Sequence, residues 1–252
     1  MHSIERVRHE SRFRKASVVL NERITPALAR ITLAHPEFAA FRSLVFDDHV
    51  KLFFAPSGEE LASPTLRPDG LDFGTQLPQC REYTPRSFDT DRAEIVIDFV
   101  IHGDGLASRW AETARPGDTL GVSGPRSSFV VTGEFDWLLL AGDETGLPAI
   151  ARCLEGPPAQ QRVIAILEVR DRAETQQVAA PDMCELVWLY RDGGQSMEGA
   201  VEAFVPPPGS GFAFVAGEAA AIRTARAALC GKGVAADCIR ATAYWHCEVE
   251  TR

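Results

Sequence analysis

The chain has 252 residues, 45% of them apolar, and a formal net charge of −9 with a pI near 5.2. That size supports two ordinary domains or one large one, each with a real core. The acidic balance, with basic residues scattered rather than striped, argues against a nucleic-acid partner.

Met1 to Lys15 is rich in Arg and His and has no apolar core of the signal-peptide kind, and nowhere do eighteen apolar residues run together. A cytoplasmic protein without a membrane partner is expected. Phe13 to Leu20, Ala29 to Leu33 and His49 to Ala55 predict three strands. Ser57 to Cys80 carries Pro, Gly and polar residues with no helical period, and a loop of that length is expected to border a substrate opening. Glu94 to Ile101 puts Ile95, Ile97, Phe99 and Ile101 on one face, as a barrel wall requires. Leu106 and Trp110, at i and i+4, place a short closing helix over Leu106 to Ala114. Pro116-Gly117-Asp118 and Gly124-Pro125 are turns flanking a strand at Leu120 to Ser123.

From Asp136 the pattern changes to strands alternating with helices. Trp137 to Ala141, Val163 to Val169, Leu186 to Tyr190, Phe212 to Ala216 and Ala241 to Trp245 predict strands, with helices at Leu147 to Leu154 and Glu218 to Cys230. The expected architecture is an N-terminal antiparallel β-barrel over residues 1–134 and a C-terminal α/β Rossmann-like domain over residues 135–252, built on a parallel sheet with right-handed crossovers. The cysteines at 80, 153, 184, 230, 238 and 247 show no C-x-x-C pair and no ligand spacing. They read as reduced thiols, and no metal site is expected.

Chemistry-bearing residues concentrate in Arg81-Glu82-Tyr83-Thr84-Pro85-Arg86 and in Asp98-Phe99-Val100-Ile101-His102-Gly103-Asp104-Gly105. On a strand, Arg81 and Tyr83 share one face and Thr84 takes the other. A cation for a pyrophosphate, a phenol ring for an isoalloxazine and a hydroxyl for the flavin's reactive nitrogen then lie within four residues. The plain alternative is a half-buried strand with a solvated arginine. Beyond His102, the residues Gly103, Gly105, Ala107 and Ser108 open the predicted helix with small side chains, where free N–H groups suit a diphosphate. His102 by itself reads as a structural histidine, and Asp104 reads equally as the helix cap.

In the second half, Gly142 to Pro148 lies between a buried strand and a helix, where open α/β sheets bind ligands. It is not G-x-G-x-x-G, and structurally it reads as a helix capped by Thr145 with Pro148 in its first turn. Arg170, Arg172 and Arg191 follow two of the strands, either as solvated loop arginines or as a clamp for a 2′-phosphate. Glu218 reads equally as a first-turn carboxylate favoured by its helix dipole.

These blocks, together with Pro116 to Asp118, Gly124-Pro125, the run from Leu140 to Ile150, Ala216-Gly217-Glu218 and Tyr244-Trp245, resemble the siderophore-interacting protein family of FAD-dependent ferric-siderophore reductases, a branch of the ferredoxin-reductase-like flavoproteins. The resemblance implies that the first domain binds FAD. Arg81 would meet the phosphates with Arg86 as a second cation, Tyr83 would stack on the flavin, and Thr84 would bond near its N5. Asp98, Val100, His102, Gly105, Ala107 and Ser108 would hold the cofactor around its diphosphate, which leaves Tyr83 and Thr84 nearest catalysis.

For the second domain the resemblance implies NADPH, or NADH, approaching Asp143, Glu144 and Thr145. Arg170 and Arg191 would serve a 2′-phosphate, Glu218 would face the nicotinamide, and Trp245 would lie near the flavin, the cofactors meeting in a cleft between the domains. Family members usually have Ala where this chain has Gly146, so a looser turn is expected. The implied substrate is a ferric siderophore, met by Lys51 and Arg126 at positions that are basic in the family and by His246. This chain reads His246-Cys247 where the family continues with a basic residue and glycine. A ferredoxin-type protein is the alternative electron donor. A flavin reductase of broader specificity and a non-catalytic FAD- or siderophore-binding protein are the alternative functions.

Overall fold

The structure is a computed structural model that describes residues 3–10, 12–56, 60–67, 70–75, 77–103, 105–156 and 161–247. Asp104, expected as a possible helix cap, and residues 57–59, 68–69 and 76 of the long loop lie outside the described residues. The chain divides into two compact units, Ser3–Thr132 and the residues from Gly133 onward.

The first unit contains β1 (Ser3–Arg8), β2 (Phe13–Thr25), β3 (Leu28–Ala34), β4 (Val50–Phe54), β5 (Thr65–Arg67), β6 (Gly70–Asp72), β7 (Gln79–Tyr83), β8 (Pro85–Asp89), β9 (Glu94–Val100), α1 (Leu106–Thr113), β10 (Thr119–Ser123) and β11 (Ser127–Thr132). Seven of these strands form an antiparallel sheet in the order β7-β4-β10-β2-β3-β9-β8. The edge strands β7 and β8 are separated in sequence by Thr84 alone. One residue spans only about 3.5 Å, so the sheet must curl until its two edges meet at Thr84. The expected barrel is thus a half-barrel whose two edge strands are joined at the Thr84 seam, with no hydrogen-bond ladder between them among the described residues.

Alternate positions along these strands fill the interior: Ile31, Leu33, Leu52, Ile95, Ile97, Phe99 and Leu120 are fully buried. Each such side chain contributes about 1.5–3 kcal/mol relative to exposure. α1 buries Ala107 and Ala111 and sets Trp110 against Phe54 and Phe99, with ring centroids 5.7 and 5.6 Å apart, which closes the barrel as its Leu106/Trp110 spacing predicts.

Two features of this unit escape the sequence pattern. β1 pairs antiparallel with β11 in a two-stranded ribbon, Ser3 opposite Thr132 and Arg8 opposite Ser127. β1 is almost wholly exposed, so it has no apolar alternation to reveal it. The long loop also carries a β5–β6 hairpin instead of being structureless.

The second unit contains β12 (Trp137–Gly142), α2 (Leu147–Leu154), β13 (Arg162–Val169), β14 (Cys184–Tyr190), α3 (Met197–Ala203), β15 (Gly211–Glu218), α4 (Ala219–Gly231) and β16 (Ile239–Trp245). The five strands form a parallel sheet in the order β14-β13-β12-β15-β16. β12 comes first in the chain and sits in the middle, so the direction of winding reverses between β12 and β15, and the loops after these strands flank the switch point where such sheets bind ligands. α3 is not evident in the sequence, because its seven residues bury only Met197 and Val201. β13 and β14 are joined by a loop with a 3-10 turn at Arg172–Glu174 rather than by an α-helix.

Among the described residues no helix is long and apolar enough to cross a membrane, and no group of three or more His, Cys, Asp or Glu is placed to hold a metal ion. None of the six cysteines is in a disulfide.

Candidate functional site

In the first unit Arg81 lies opposite Leu52 and Tyr83 opposite Val50, so both project to the face those residues line. Thr84, 5% exposed, occupies the seam itself. The Tyr83 ring rests 4.7 Å from that of Phe99, and burial pushes its phenol pKa further above the ordinary value, at which it is already neutral at physiological pH. Arg81 is exposed, with Nη1 donating to the Cys80 carbonyl at 2.8 Å, and Arg86 is half-buried in β8.

Val100 ends β9, and the chain then turns into α1. The Asp98 carboxylate is committed to Arg30, which donates through Nε and Nη2 at 2.7 and 2.8 Å, so its part is to stiffen the wall beneath the turn. The N–H groups of His102 and Gly103 donate to Oγ of Ser108 at 3.0 and 3.3 Å, and Ser108, 1% exposed, thereby ties the turn to the helix. Gly105 is the N-cap and supplies no side-chain cap; a Cβ there would stand 2.6 Å from Cε1 of His102. α1 thus opens with Gly105, Ala107 and Ser108, and its dipole points at a surface free of bulky groups from these positions.

In the second unit the ends of three strands converge on Asp143, 5% exposed. Its Oδ1 accepts from the Thr145 N–H at 2.8 Å and the Thr145 hydroxyl at 2.5 Å; its Oδ2 accepts from the Glu218 N–H at 3.0 Å and from Nε1 of Trp245 at 2.8 Å. Gly217, at φ +154°, makes this possible, since a Cβ would lie 2.5 Å from Asp143 Oδ2.

Three expectations are corrected here. The N-cap of α2 is Gly146, not Thr145, whose hydroxyl donates to Asp143 instead. Gly146 does not loosen the turn: a Cβ would meet the Ala216 carbonyl at 2.8 Å, so glycine lets α2 start hard against β15. Glu218 is the N-cap of α4, accepting from Ala220 and Ala221, rather than a first-turn residue. The Ala221 hydrogen bond leads in lowering its pKa, burial opposes it, and bonds from Cys247 and Ala220 add to it.

Arg170 and Arg191 are held by carboxylates. Arg170 donates from Nε to Asp171 and from Nη2 to Glu174, both at 2.9 Å, and its backbone N–H donates to Glu144. Arg191 pairs with Glu144 and with Glu168, 2.7 Å away. Partial burial works against the Arg191 charge, but the hydrogen bonds with Glu144 and Glu168 outweigh it and hold its pKa above the ordinary value. Arg172 lies over the Tyr190 ring at 5.1 Å.

Of the basic substrate candidates, Lys51 and Arg126 lie in the first unit and His246 in the second. Lys51 faces Glu82 at 3.6 Å, whereas Arg126 lines a recess with Arg6, Arg8 and His9. His246, exposed after β16, belongs to the other unit. The β1 arginines are what the sequence reading passed over; their signal was the Arg- and His-rich start of the chain, weighed only as a targeting segment.

Residues 17–129 match the siderophore-interacting FAD-binding domain, and residues 135–248 match the siderophore-interacting protein family. The chain belongs to the siderophore-interacting protein family. It is 35% identical over 246 residues to the NADPH-dependent ferric-chelate reductase of Escherichia coli K12, covering 96% of each chain. It is 32% identical over 230 residues to the ferric vibriobactin reductase ViuB of Vibrio cholerae, covering 88% of this chain and 85% of the relative. A solved siderophore utilization protein from T. fusca superposes with a TM-score of 0.89 at 36% identity, over 100% of this chain and 98% of that one.

For a siderophore-interacting protein, the first unit carries a donor set that suits FAD. Arg81 offers a guanidinium to phosphate, Tyr83 an uncharged ring, Thr84 a hydroxyl at the barrel seam, and α1 an N-terminus with no bulky side chain at Gly105, Ala107 or Ser108.

Proposed function

We propose that this siderophore-interacting protein is a ferric-siderophore reductase that works in the cytoplasm with FAD and NADPH, residues 1–134 forming the FAD domain and residues 135–252 the nicotinamide domain. The observation that carries this reading is the barrel seam at Thr84 together with an α1 that starts on glycine. The names of the Escherichia coli and Vibrio cholerae relatives, a ferric-chelate reductase and a ferric vibriobactin reductase, support the same reaction class.

Bound FAD supplies the exchange between a two-electron nicotinamide donor and the one-electron acceptor Fe(III). The chain's own residues bind and orient. Arg81, with Arg86, neutralises phosphate; α1 presents N–H groups to the diphosphate, with Ser108 fixing the His102–Gly103 turn beside it. Tyr83, braced by Phe99, offers a flat ring to the flavin, and Thr84 holds a hydroxyl at the place its reactive edge would take. In the other unit, Asp143 fixes the loops after β12 and β15, where nicotinamide would arrive, and orients Trp245. Hard oxygen donors hold Fe(III) far better than Fe(II), so reduction releases the metal. Lys51, Arg126 and His246 would attract an anionic chelate.

A second reading of the donor has its own support. A 2′-phosphate would reach Arg170 and Arg191 only in competition with Glu144, Glu168, Asp171 and Glu174. That arrangement is the ground for keeping NADH as the alternative donor.

Steady-state turnover with a ferric siderophore, an Fe(II)-trapping chelator and either nicotinamide tests the proposal. NADPH-dependent Fe(II) appearance that requires FAD is expected; none with either nicotinamide or with reduced ferredoxin would refute it.

A further inference from the structure

His9 is held through both its backbone and its ring. Its N–H donates to the Arg126 carbonyl at 3.0 Å as the chain leaves β1, and its Nε2 lies 2.7 Å from Oγ of Ser128 in β11. Ser128 is fully buried, and its hydroxyl donates at 2.6 Å to Oδ2 of Asp48, itself 2% exposed. That oxygen also accepts from the Leu44 N–H at 2.8 Å and the Ser43 hydroxyl at 3.0 Å, so every donor around it is aimed inward. A serine hydroxyl has a single proton to give. With that proton spent on Asp48, Ser128 can only accept from His9, which fixes the ring as a donor at Nε2. Nδ1 has no hydrogen-bond partner among the described residues and is the ring nitrogen left to exchange a proton.

The ring lines two recesses. Arg6, Arg8 and Arg126 line one with it; Arg8, Arg12, Arg14, Arg42 and Glu10 line the other. A guanidinium does not release its proton in a protein. Glu10 is paired with Arg12 at 2.8 Å and is largely exposed. His9 is therefore the one side chain of the described lining whose type exchanges protons near neutral pH. Release of iron has a use for such a group. The donor oxygens of a catecholate or hydroxamate are anionic bases, their hold on the metal weakens when Fe(III) becomes Fe(II), and an oxygen that has taken up a proton no longer recaptures it.

We propose that His9 is the general acid of metal release, giving its Nδ1 proton to a donor oxygen of the reduced chelate, with Ser128 and Asp48 as the residues that position it. One electron from the reduced flavin converts Fe(III) to Fe(II). The Fe–O bond then breaks with its electron pair left on oxygen, that pair takes the proton, and the neutral ring recovers one from water. This role rests on the reductase reading above.

The test uses FAD-loaded protein, reduced photochemically and mixed without oxygen with the ferric complex of a tris-catecholate and an Fe(II)-trapping chelator. His9→Gln keeps an N–H donor for Ser128 but cannot exchange a proton. It should slow Fe(II) release about 100-fold, the low end of what general acids contribute. The solvent deuterium isotope effect on wild-type release should vanish in the variant, while its affinity for the non-reducible gallium(III) complex of the same ligand stays unchanged. Release at the wild-type rate, an isotope effect that persists, or a parallel loss of affinity for the gallium complex would overturn the assignment. Nitrogen NMR of the imidazole gives a readout without turnover: the neutral ring should be the Nε2–H tautomer, and Ser128→Ala should remove that preference. An Nδ1–H tautomer in the wild type would overturn the relay. A wild type whose flavin band never recovers on adding the ferric complex would refute the reductase reading itself, and this role would fall with it.

Discussion

Nε1 of Trp245 donates to Asp143 Oδ2 at 2.8 Å across 102 positions of sequence, so the last strand of the second unit is tied to the loop that follows its first. The same carboxylate accepts from Thr145 and Glu218, and it is almost wholly buried. Asp143→Ala would leave these donors without an acceptor. Hydrogen bonds to a charged acceptor contribute about 1.5–3 kcal/mol each and are not additive, so a loss of about 3 kcal/mol or more is expected from denaturant midpoints. Trp245→Phe removes one donor and should cost about 1 kcal/mol. Equal losses in the two variants would mean that Asp143 is not the organising acceptor.

Glu144 competes with any phosphate for Arg191. Glu144→Gln keeps an acceptor for the Arg170 N–H but removes the charge that holds Arg191. KM for NADPH should fall about three- to tenfold, within the range expected for relieving one like-charge contact, with KM for NADH unchanged. A rise in KM for NADPH would show that Arg191 needs Glu144 to be in position.

Ser108 is the acceptor that shapes the turn before α1. Ser108→Ala leaves the His102 and Gly103 N–H groups without it and should weaken FAD binding about tenfold in reconstitution of apoprotein followed by flavin fluorescence. Arg81→Ala should do the same by removing a charge, but its loss should shrink at high salt, whereas that of Ser108→Ala should not. Matching salt dependence in the two variants would contradict the separate roles assigned to them.

Glu218 caps α4 as a carboxylate, and its pKa lies below the ordinary 4.5. A depressed carboxylate stabilises the fold above the unfolded-state value, and that contribution is lost as pH falls through the folded value. The stability difference between wild type and Glu218→Gln should therefore be constant above pH 4.5 and shrink below it. A difference that grows on acidification has the wrong sign for this assignment.

Most of this architecture was legible because the elements that matter are periodic. Ile95, Ile97 and Phe99 alternate, Leu106 and Trp110 are one helical turn apart, and the apolar run Trp137 to Ala141 stands between a turn and a helix. β1 and α3 were not legible, since an exposed ribbon and a seven-residue helix need little apolar patterning. Within the candidate site, Arg81 and Tyr83 were placed on one face by strand geometry alone. The partners of Asp98, Arg170 and Arg191 were not, because pairing between segments distant in sequence depends on the sheet order. Gly146 was misread for the same reason: the atom it makes room for, the Ala216 carbonyl, belongs to a strand 70 positions later.

The central claim, that bound flavin links a nicotinamide to a ferric siderophore, is tested most directly by anaerobic absorbance titration of the FAD-loaded protein with NADPH and then with a ferric siderophore. Bleaching of the flavin band by NADPH and its recovery on adding the siderophore, with Fe(II) captured by a chelator, is the predicted result. A protein that cannot take up FAD, or one whose reduced flavin is left unchanged by the siderophore, would contradict it.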